Sequence, residues 1–478
     1  MTLHTLIAAT LLGLAGAVAA QGHTPAATRF HVERLADGVH AVIRDEPPGL
    51  MVDANNLVII NDDDVVVVDA NGAPSITRAV IESIRQLTDK PVRTVIFTHA
   101  HDDHLRGARA YREAFPGVEF VASRFTRDYL AGAGADNRVA FLREAPAFAS
   151  YLRDLTRQGK GLAGGPLGDE ERQARETDLA LVDLIVAEAP QTATIPPTLI
   201  VDERLTLQRG QRVIDIRCLG GGHTAGDLIV HLPREGIVAT GDLVGHPVPL
   251  VGHPQSRLPE WADTLRRLAA LDAKLLVPGH GPVLRGNDHP RQLAALFDDL
   301  TGAIAAARAA GKTFEAARAS IDLSTHKQAL AGDSPMRRLL FENYVRGPGL
   351  EAAWAQADDA PSAVVGAFHD ALHRGDASAA AALLDDAATI HESGHAESRG
   401  EYLAHHLAAD IAFARATRRE VQQASTHCER DLCLVLAQTR TTGEWKGKAV
   451  KLAGVESTVL RRTEAGWRIL HAHWSSQR

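Results

Sequence analysis

The feature that most constrains this chain is a group of metal-ligand side chains placed directly after a short apolar stretch. The stretch Val92 to Phe97 is rich in β-branched and apolar residues and predicts a buried strand. Three histidines and two aspartates follow it, namely His99, His101, Asp102, Asp103 and His104. Burying such groups is costly unless something binds them. Imidazole nitrogens and carboxylate oxygens suit zinc or a similar divalent cation, so the cluster predicts half of a metal site. The alternative at this point is a polar, solvated loop.

Length and charge exclude some classes of protein. A chain of 478 residues predicts two or three domains. The net charge is −8 and no dense Lys/Arg run is present, which argues against a nucleic-acid-binding protein. After the first twenty residues, no uncharged apolar stretch is long enough to predict a transmembrane helix. We therefore expect a small-molecule substrate and no stable membrane insertion.

The first twenty residues predict a targeting segment. Leu6 to Ala20 is small and apolar but short for a membrane span, and Val18-Ala19-Ala20 resembles a small-residue cleavage site. We interpret residues 1–20 as a secretory signal peptide, which predicts a periplasmic or secreted protein. No Lys or Arg precedes the apolar run, so an uncleaved amphipathic or anchoring segment is the alternative.

The cysteines agree with export without requiring it. Cys428 and Cys433 flank a polar centre between two predicted strands and could face each other across a hairpin. Spacing does not give the geometry of the two thiols, so a disulfide and a pair of free thiols both remain open. Cys218 lies in a strand pattern and is predicted to be a small buried hydrophobe.

The order of elements around the cluster predicts an α/β fold. A strand at Val65 to Asp69 and a helix at Ile76 to Leu87 precede the strand that delivers the histidines. In such folds functional sites lie at strand ends. Residues 125–188 then show helical periodicity, interrupted by a glycine-rich connector, and predict a helical insertion. The insertion is either a lid or pocket wall, or a packing element with no role in binding.

Three distant residues can complete the cluster. His223 follows a run of glycines, Asp242 ends an apolar strand, and His280 stands in Pro278-Gly279-His280-Gly281 after another strand. Each alone is more typical of a structural residue. Together they are three further ligand-type side chains, each at a junction between strand and loop.

These motifs together resemble the metallo-β-lactamase superfamily of hydrolases, over roughly residues 28–300. The resemblance implies an αββα sandwich with two metal ions in a cleft at one edge, within a domain that we place at residues 28–350. It implies that His99, His101 and His223 hold the first metal. It also implies that Asp103, His104 and His280 hold the second, and that Asp242 bridges both.

Such a centre predicts hydrolysis. Two metals about 3.5–4 Å apart can share a hydroxide that attacks an ester, thioester, lactone or amide carbonyl. Asp103 is a ligand and also the carboxylate placed to orient that hydroxide, whereas Asp102 is expected to fix a histidine ring. We take both as catalytic candidates. Zinc is the default metal for this nitrogen-rich set, and iron or manganese would also suit an Asp-bridged site.

The residue at position 242 bears on the substrate. Within the superfamily, Asp at this position is the pattern of glyoxalase II-like thioesterases and lactonases, whereas the main clinical β-lactamases carry Cys or Ser. The pattern counts against a dedicated β-lactamase. His246 and His253 are predicted to be surface-loop residues, with contact to substrate as the alternative.

The chain changes character near residue 361. Gly347-Pro348-Gly349 and then residues 356–361 predict a boundary. Helices are predicted at Ala363 to His373, Ala377 to Leu384 and Tyr402 to Arg415, followed by four strands between Arg419 and Trp474. This order, and the ending from Gly466 to Ser476, resemble the SnoaL-like, nuclear-transport-factor-type superfamily. The resemblance implies an α+β cone at residues 361–478 that encloses a pocket or forms a homodimer.

Two classes of function remain. The first is an exported binuclear metal-dependent hydrolase, with β-lactamase activity as a variant of it. The second is a metal-binding or redox relay, or a ligand-binding protein, without hydrolytic turnover. The complete ligand set favours the first class.

Overall fold

The computed structural model describes residues 29–477, except positions 46, 48, 253, 254, 358, 359, 393, 430, 464 and 465. The predicted signal peptide and His253 lie outside the described residues. Two sheets packed face to face, each covered by helices, form the first part of the chain, and a third sheet forms the second part. This arrangement confirms the predicted αββα sandwich followed by an α+β unit.

The first sheet has seven strands that follow chain order. They are β1 (Phe30–Ala36), β2 (Val39–Arg44), β3 (Asn56–Ile60), β4 (Val65–Val68), β5 (Val92–Ile96), β6 (Glu119–Ser123) and β7 (Leu199–Val201). Strands β1 to β4 are antiparallel, and β4 to β7 are parallel. Every residue of β4 is buried, as expected for a central strand covered on both faces.

Three helices lie between β4 and β6 in the chain. They are α1 (Pro74–Leu87), α2 (Asp102–Leu105) and α3 (Ala108–Ala114). Helix α1 begins with a proline in its first turn, where the missing N–H costs nothing, and buries Ile76, Val80 and Ile84 on one face. The predicted ligand cluster therefore spans the end of β5 and the first turn of α2.

The predicted insertion consists of three helices. They are α4 (Arg124–Ala131), α5 (Ala133–Arg157) and α6 (Asp169–Glu188), followed by a single 3₁₀ turn at Ala189–Gln191. One of its links to the sandwich is Asp178 of α6. The carboxylate of Asp178 accepts hydrogen bonds from the backbone N–H groups of Leu50 and Met51 at 3.0 and 2.8 Å. The insertion is thus anchored on the loop that precedes β3.

The second sheet has six strands. They are β8 (Arg204–Arg209), β9 (Arg212–Cys218), β10 (Leu228–Leu232), β11 (Ile237–Gly241), β12 (Leu275–Pro278) and β13 (Leu284–Arg285). Strands β11 and β12 are parallel, while the other pairs are antiparallel. Apolar side chains from both sheets, such as Val68, Ile96, Ile216 and Val230, interdigitate in the layer between them.

Helices cover the outer face of the second sheet. They are α7 (Leu258–Ala269), α8 (Asp288–Ala309), α9 (Phe314–Ser320), α10 (Ser324–Ala331), α11 (Pro335–Leu340), a π-helical turn (Phe341–Arg346) and α12 (Gly347–Gln356). Trp261 of α7 is fully buried and stacks on Phe297 of α8, with ring centroids 4.3 Å apart. Within the described ranges, no helix combines the length and apolar character needed to cross a bilayer.

The expected boundary at Gly347-Pro348-Gly349 differs from the structure. These residues begin α12, which continues past residue 350 and buries Leu350 in the core of the first domain. Pro348 lies in the first helical turn, where it is tolerated. A Cβ at Gly349 would lie 2.8 Å from a methyl carbon of Leu300, so the glycine permits close packing of α12 on α8. Here Gly and Pro reflect packing rather than a linker.

The C-terminal part combines four helices with a six-stranded sheet. The helical elements are α13 (Pro361–Arg374), α14 (Ala377–Ala382), α15 (Arg399–Glu401), a π-helical turn (Tyr402–His406) and α16 (Leu407–Ala416). The strands are β14 (Leu384–Glu392), β15 (His395–Ser398), β16 (Thr417–Glu429), β17 (Leu432–Trp445), β18 (Lys448–Thr463) and β19 (Gly466–Gln477). The four predicted strands are present as a meander from β16 to β19.

Two strands of this sheet, β14 and β15, were not predicted from the sequence. The predicted second helix ends at Ala382, and Leu384 begins β14, which pairs in parallel with β19 at the far end of the chain. An alanine-rich stretch favours a helix locally, whereas pairing with β19 depends on residues more than eighty positions away. Tertiary contacts therefore override local propensity at this point.

The two parts of the chain touch along α7. Arg267 donates to the carbonyl oxygen of Cys428 at 2.7 Å, and Arg462 pairs with Glu260 at 3.0 Å. Cys428 and Cys433 form a disulfide across the β16–β17 hairpin, which resolves the alternative that the sequence left open. Cys218 is a free thiol, half-buried at the end of β9.

A buried carboxylate is clamped inside the C-terminal domain. Glu456 of β18 accepts two hydrogen bonds from Arg419 of β16, at 2.8 and 2.5 Å, and lies 3.3 Å from Nε2 of His369 on α13. Burial alone would raise its pKa. The hydrogen bonds and charges of His369 and Arg419 outweigh burial and lower the pKa of Glu456 to about 2.

We predict that Glu456→Gln lowers stability at neutral pH and that the loss disappears in acid. A carboxyl whose pKa falls from 4.5 to about 2 on folding contributes stability above pH 4.5 that is lost towards pH 2. The contribution is about 3 kcal/mol by linkage. Urea unfolding of the full chain at a series of pH values measures the difference from wild type. The exposed Glu444→Gln is the control, and a gap independent of pH would contradict the prediction.

Candidate metal centre

The seven predicted ligands come from four loops that meet at one edge of the sandwich. His99, His101, Asp103 and His104 follow β5, His223 precedes β10, Asp242 follows β11 and His280 follows β12. The close approach of two of these loops requires a glycine. A Cβ at Gly279 would lie 1.9 Å from Oδ1 of Asp242, so no other residue allows the chain to pass here.

The structure brings the seven side chains together in two groups. The first is His99, His101, His223 and Asp242, and the second is Asp103, His104 and His280. Within each group the potential ligand atoms lie within 4.8 Å of one another. The histidines and Asp103 divide as the family resemblance implied, and Asp242, the expected bridging residue, lies in the first group.

Asp242 faces both groups. Its Oδ2 lies 3.4 Å from Nε2 of His223, whereas its Oδ1 lies 3.2 Å from Nε2 of His104 and 3.3 Å from Nε2 of His280. Asp103 Oδ2 lies 3.2 Å from the same nitrogen of His280. Asp242 thus directs one carboxylate oxygen to each group, as a ligand shared by two metal ions would.

The unsatisfied atoms of the centre fit divalent cations. Five buried atoms make no hydrogen bond to any described residue, namely Nε2 of His99, His104 and His280, Oδ2 of Asp103 and Oδ1 of Asp242. Buried polar atoms without partners are rare and costly. Here they converge on common points with nitrogen and oxygen lone pairs, which is the donor set of a metal site.

Each of four histidine rings is fixed by a hydrogen bond at Nδ1. Thr98 Oγ1 bonds His99 at 3.0 Å and the carbonyl of Leu250 bonds His223 at 2.8 Å. The carbonyl of Asp53 bonds His280 at 3.1 Å, and Asp69 Oδ2 bonds His104 at 2.8 Å. With Nδ1 engaged, a neutral ring presents the lone pair of Nε2 to the centre, which is the tautomer that a metal ligand needs.

Asp69 was not identified from the sequence as a site residue. It follows the buried strand β4, is itself buried, and also accepts hydrogen bonds from the N–H and Oγ1 of Thr98 at 2.8 and 2.9 Å. Thr98 therefore donates to Asp69 and accepts from His99. The available indication was its position, because carboxyl ends of parallel strands meet at one edge of a sheet.

The expected role of Asp102 was wrong in one respect. None of the ring hydrogen bonds described above involves its carboxylate. Arg138 of α5 donates to Oδ1 through Nε at 3.0 Å, and Arg106 bonds Oδ2. Asp102 thus joins α2 to the insertion through Arg138, which lies 36 positions further along the chain, where spacing could not reveal it. Arg106 is four positions from Asp102, a spacing typical of ion pairs on one helix.

Burial sets the protonation of the first group. It lowers the pKa of His223 to about 3, with a further contribution from His101, so this ring is neutral at physiological pH. A neutral imidazole has the free lone pair that a metal ligand requires.

His246 lies near the centre rather than on the outer surface. It lines a cavity together with Asp53, Asp242 and His280, and its ring centroid is 5.0 Å from that of His289. The insertion also borders the site. A second cavity of about 320 Å³ is lined by His101, Asp102 and Asp103 and by residues of α4, α5 and α6. Of the two alternatives for the insertion, the structure therefore supports a pocket wall.

Comparison with known proteins identifies this architecture. Residues 51–280 match the family profile described as the Metallo-beta-lactamase superfamily, and residues 362–477 match that of the SnoaL-like domain. The chain therefore contains a metallo-β-lactamase domain followed by a SnoaL-like domain. This confirms both resemblances noted in the sequence.

The curated homologues in this superfamily are hydrolases by name. A linear primary-alkylsulfatase of a Pseudomonas species is 23% identical over 241 residues, which is 49% of this chain and 43% of that protein. The chain thus matches less than half of the alkylsulfatase. A metallo-beta-lactamase type 2 of a Bacillus species is 24% identical over 49% of this chain and 69% of that protein. The solved metallo-beta-lactamase from Pontibacter korlensis is 20% identical and covers 56% of this chain and 99% of its own, with a TM-score of 0.40.

We predict that Asp69→Asn weakens metal binding without altering the fold. Asp69 has a φ of 64°, which Asn tolerates, but the amide cannot replace the carboxylate on both Thr98 and His104. Loss of such a supporting partner lowers metal affinity by about 10- to 100-fold. Competition with a chromophoric chelator measures the change. The exposed Asp63→Asn is the matched control, and equal affinity of the two variants would refute the role of Asp69.

Proposed function

We propose that this chain is an exported, binuclear, metal-dependent hydrolase that attacks the carbonyl of an ester, thioester, lactone or amide. The observation that carries the proposal is the convergence of seven ligand side chains in two groups that Asp242 faces, with five of their buried atoms unsatisfied. A cavity that opens beside this set gives a substrate room to reach it.

The residues of the candidate metal centre would have different roles in hydrolysis. Two divalent cations, zinc by the default of the nitrogen-rich set, would polarise a substrate oxygen and acidify a water molecule. Asp103 places its Oδ2 between His104 and His280, at 3.4 and 3.2 Å, where it can orient a water and accept its proton. The side chains of His99, His223 and Asp242 are buried. Their burial excludes bulk water and strengthens the electrostatic interactions among them.

A panel of substrates tests this proposal. Metal-loaded protein is expected to hydrolyse at least one of an ester, thioester, lactone or amide. Removal of metal by a chelator should abolish turnover, and added Zn²⁺ should restore it. Asp103→Ala should lower kcat/KM by about 10²- to 10⁴-fold, as expected for loss of a proton acceptor.

The control is Asp136→Ala, an exposed carboxylate on the insertion. Activity towards none of these substrates, together with an Asp103→Ala variant altered only in metal content, would favour a relay or binding protein instead. The panel also includes a β-lactam and a linear alkyl sulfate, because the related proteins bear those names. Turnover of the alkyl sulfate alone would indicate that the substrate is a sulfate ester rather than a carbonyl compound.

Export is supported by two independent features. The apolar run before Ala20 has the pattern of a signal peptide. The disulfide between Cys428 and Cys433 is typical of proteins in an oxidising compartment.

We predict that protein recovered from a periplasmic or secreted fraction begins at Gln21, as measured by intact mass and N-terminal sequencing. Cleavage should depend on the small residue at the cut, so Ala20→Arg is expected to leave the precursor uncut, while Thr24→Arg beyond the cut should not. An intact Met1 in the wild-type protein would favour the anchored alternative.

A homodimer through the C-terminal domain remains a proposal. It is supported by exposed apolar side chains on three neighbouring strands of the third sheet, β16 to β18, namely Val421, Leu432, Leu436 and Val455. Apolar groups clustered on one sheet are more typical of an interface than scattered ones.

A further inference from the structure

The cavity between the candidate metal centre and the insertion is lined by two chemically different sets of residues, which we call its polar and apolar sides. Its volume is about 320 Å³, room for roughly ten non-hydrogen atoms at about 30 Å³ each. The polar side comprises Tyr129, Asn137 and Gln255 together with His101 and Asp103 of the centre. The apolar side comprises Leu50, Met51, Val52, Phe141 and Ile185. A ligand that fills the cavity therefore has a polar end near the centre and an apolar remainder.

Tyr129 has an unusual set of hydrogen bonds. Its hydroxyl oxygen accepts from Nδ2 of Asn137 at 2.6 Å and from Nε2 of Gln255 at 2.8 Å. A phenolic hydroxyl has two acceptor positions and one hydrogen. Both acceptor positions are occupied by amide donors, so the hydrogen of Tyr129 is left to donate to an acceptor in the cavity.

The ring of Tyr129 is held in place by its neighbours. It stacks on Phe125 one turn earlier in α4, with centroids 5.8 Å apart. The first turn of α5 packs against the ring, since a Cβ at Gly134 would lie 2.8 Å from two ring carbons. A rigid aromatic donor loses little entropy when it binds a ligand, which suits a group that selects substrates.

The apolar side is also fixed from the insertion. Asp178 of α6 holds the backbone of Leu50 and Met51, and Ile185 of the same helix is buried. Arg106 reaches this region with its guanidinium 5.7 Å from the Phe141 ring centroid, while Asp102 binds the same guanidinium. The wall is thus preformed rather than assembled by the ligand.

We propose that Tyr129 is a substrate-binding residue that donates its hydroxyl hydrogen to an oxygen of the substrate, while an unbranched apolar chain lies against Leu50, Met51, Phe141 and Ile185. This inference rests on the proposed hydrolase and narrows its substrates to esters or lactones with a medium-length acyl chain. Tyr129, Asn137 and Gln255 then act as one unit, because the two amides direct the phenolic hydrogen into the cavity.

Binding of straight-chain carboxylates, the products of such esters, tests the pocket without turnover. Calorimetric titration of metal-loaded protein with the series from acetate to dodecanoate should show affinity rising about threefold to fourfold per methylene. The rise should stop near eight carbons, when the cavity is full. Tyr129→Phe should weaken binding about tenfold at every chain length, because it removes one hydrogen bond to a charged acceptor.

Two further variants separate the two sides of the cavity. Phe141→Ala should flatten the dependence on chain length and leave acetate binding unchanged. Tyr151→Phe alters a tyrosine of α5 that is 53% exposed and should behave as wild type. Thermal unfolding of each variant checks that the fold is retained. Affinity independent of chain length in the wild type, or identical behaviour of Tyr129→Phe and Tyr151→Phe, would overturn the proposal.

The failure of this inference and that of the hydrolase proposal are distinguishable. Chain-length-dependent binding that is lost in Tyr129→Phe, without hydrolysis of any ester, supports the pocket and overturns the hydrolase. Hydrolysis of esters with kcat/KM unaffected by acyl length and by Tyr129→Phe supports the hydrolase and overturns the pocket. If both hold, Tyr129→Phe should raise KM more than it lowers kcat, because the hydrogen bond is made in the bound substrate as well.

Discussion

The first domain depends on the compensation of buried charge at one edge of the sandwich. Asp69, Asp103 and Asp242 lie with five histidines where the ends of parallel strands converge, and water is largely excluded. Asp69 relieves part of this cost through its bonds to Thr98 and His104. The remaining unsatisfied atoms converge on the same region, so a bound cation would relieve the residual cost. Stability and the candidate chemistry thus depend on the same atoms.

The surrounding architecture supports this edge from two directions. On one side, Trp261 of α7 contacts His223, with ring centroids 5.8 Å apart, and stacks on α8 behind it. The same helix carries Glu260 and Arg267, which touch the C-terminal domain. The SnoaL-like domain is therefore connected to a candidate metal ligand through one rigid helix. The disulfide at the β16–β17 hairpin stiffens the end of this contact.

On the other side, the insertion both anchors and shapes the cleft. Asp102 binds Arg138 of α5, and Asp178 of α6 binds the loop before β3. These bonds hold the insertion against the centre and leave a cavity between them. The sandwich supplies the ligands, whereas the insertion determines which molecules can approach them. Reaction type and substrate choice are thus carried by different parts of one domain, as is common when binding residues lie on segments added to a rigid scaffold.

Local patterns in the chain predicted an α/β fold, the helical insertion and the seven candidate ligand side chains, whereas the resemblance to the metallo-β-lactamase superfamily supplied the αββα sandwich and the two metal sets. Each of those residues follows a strand with a clear apolar pattern, and strand ends meet in space for reasons of topology alone. The role of Asp69, the pairing of Asp102 with Arg138, the orientation of Tyr129 and strands β14 and β15 were decided only by tertiary structure. Each depends on a partner distant in sequence, such as β19 for β14 or Gln255 for Tyr129. Periodicity and spacing describe a residue's own segment, whereas hydrogen-bond partners and pocket walls come from segments that only folding brings together.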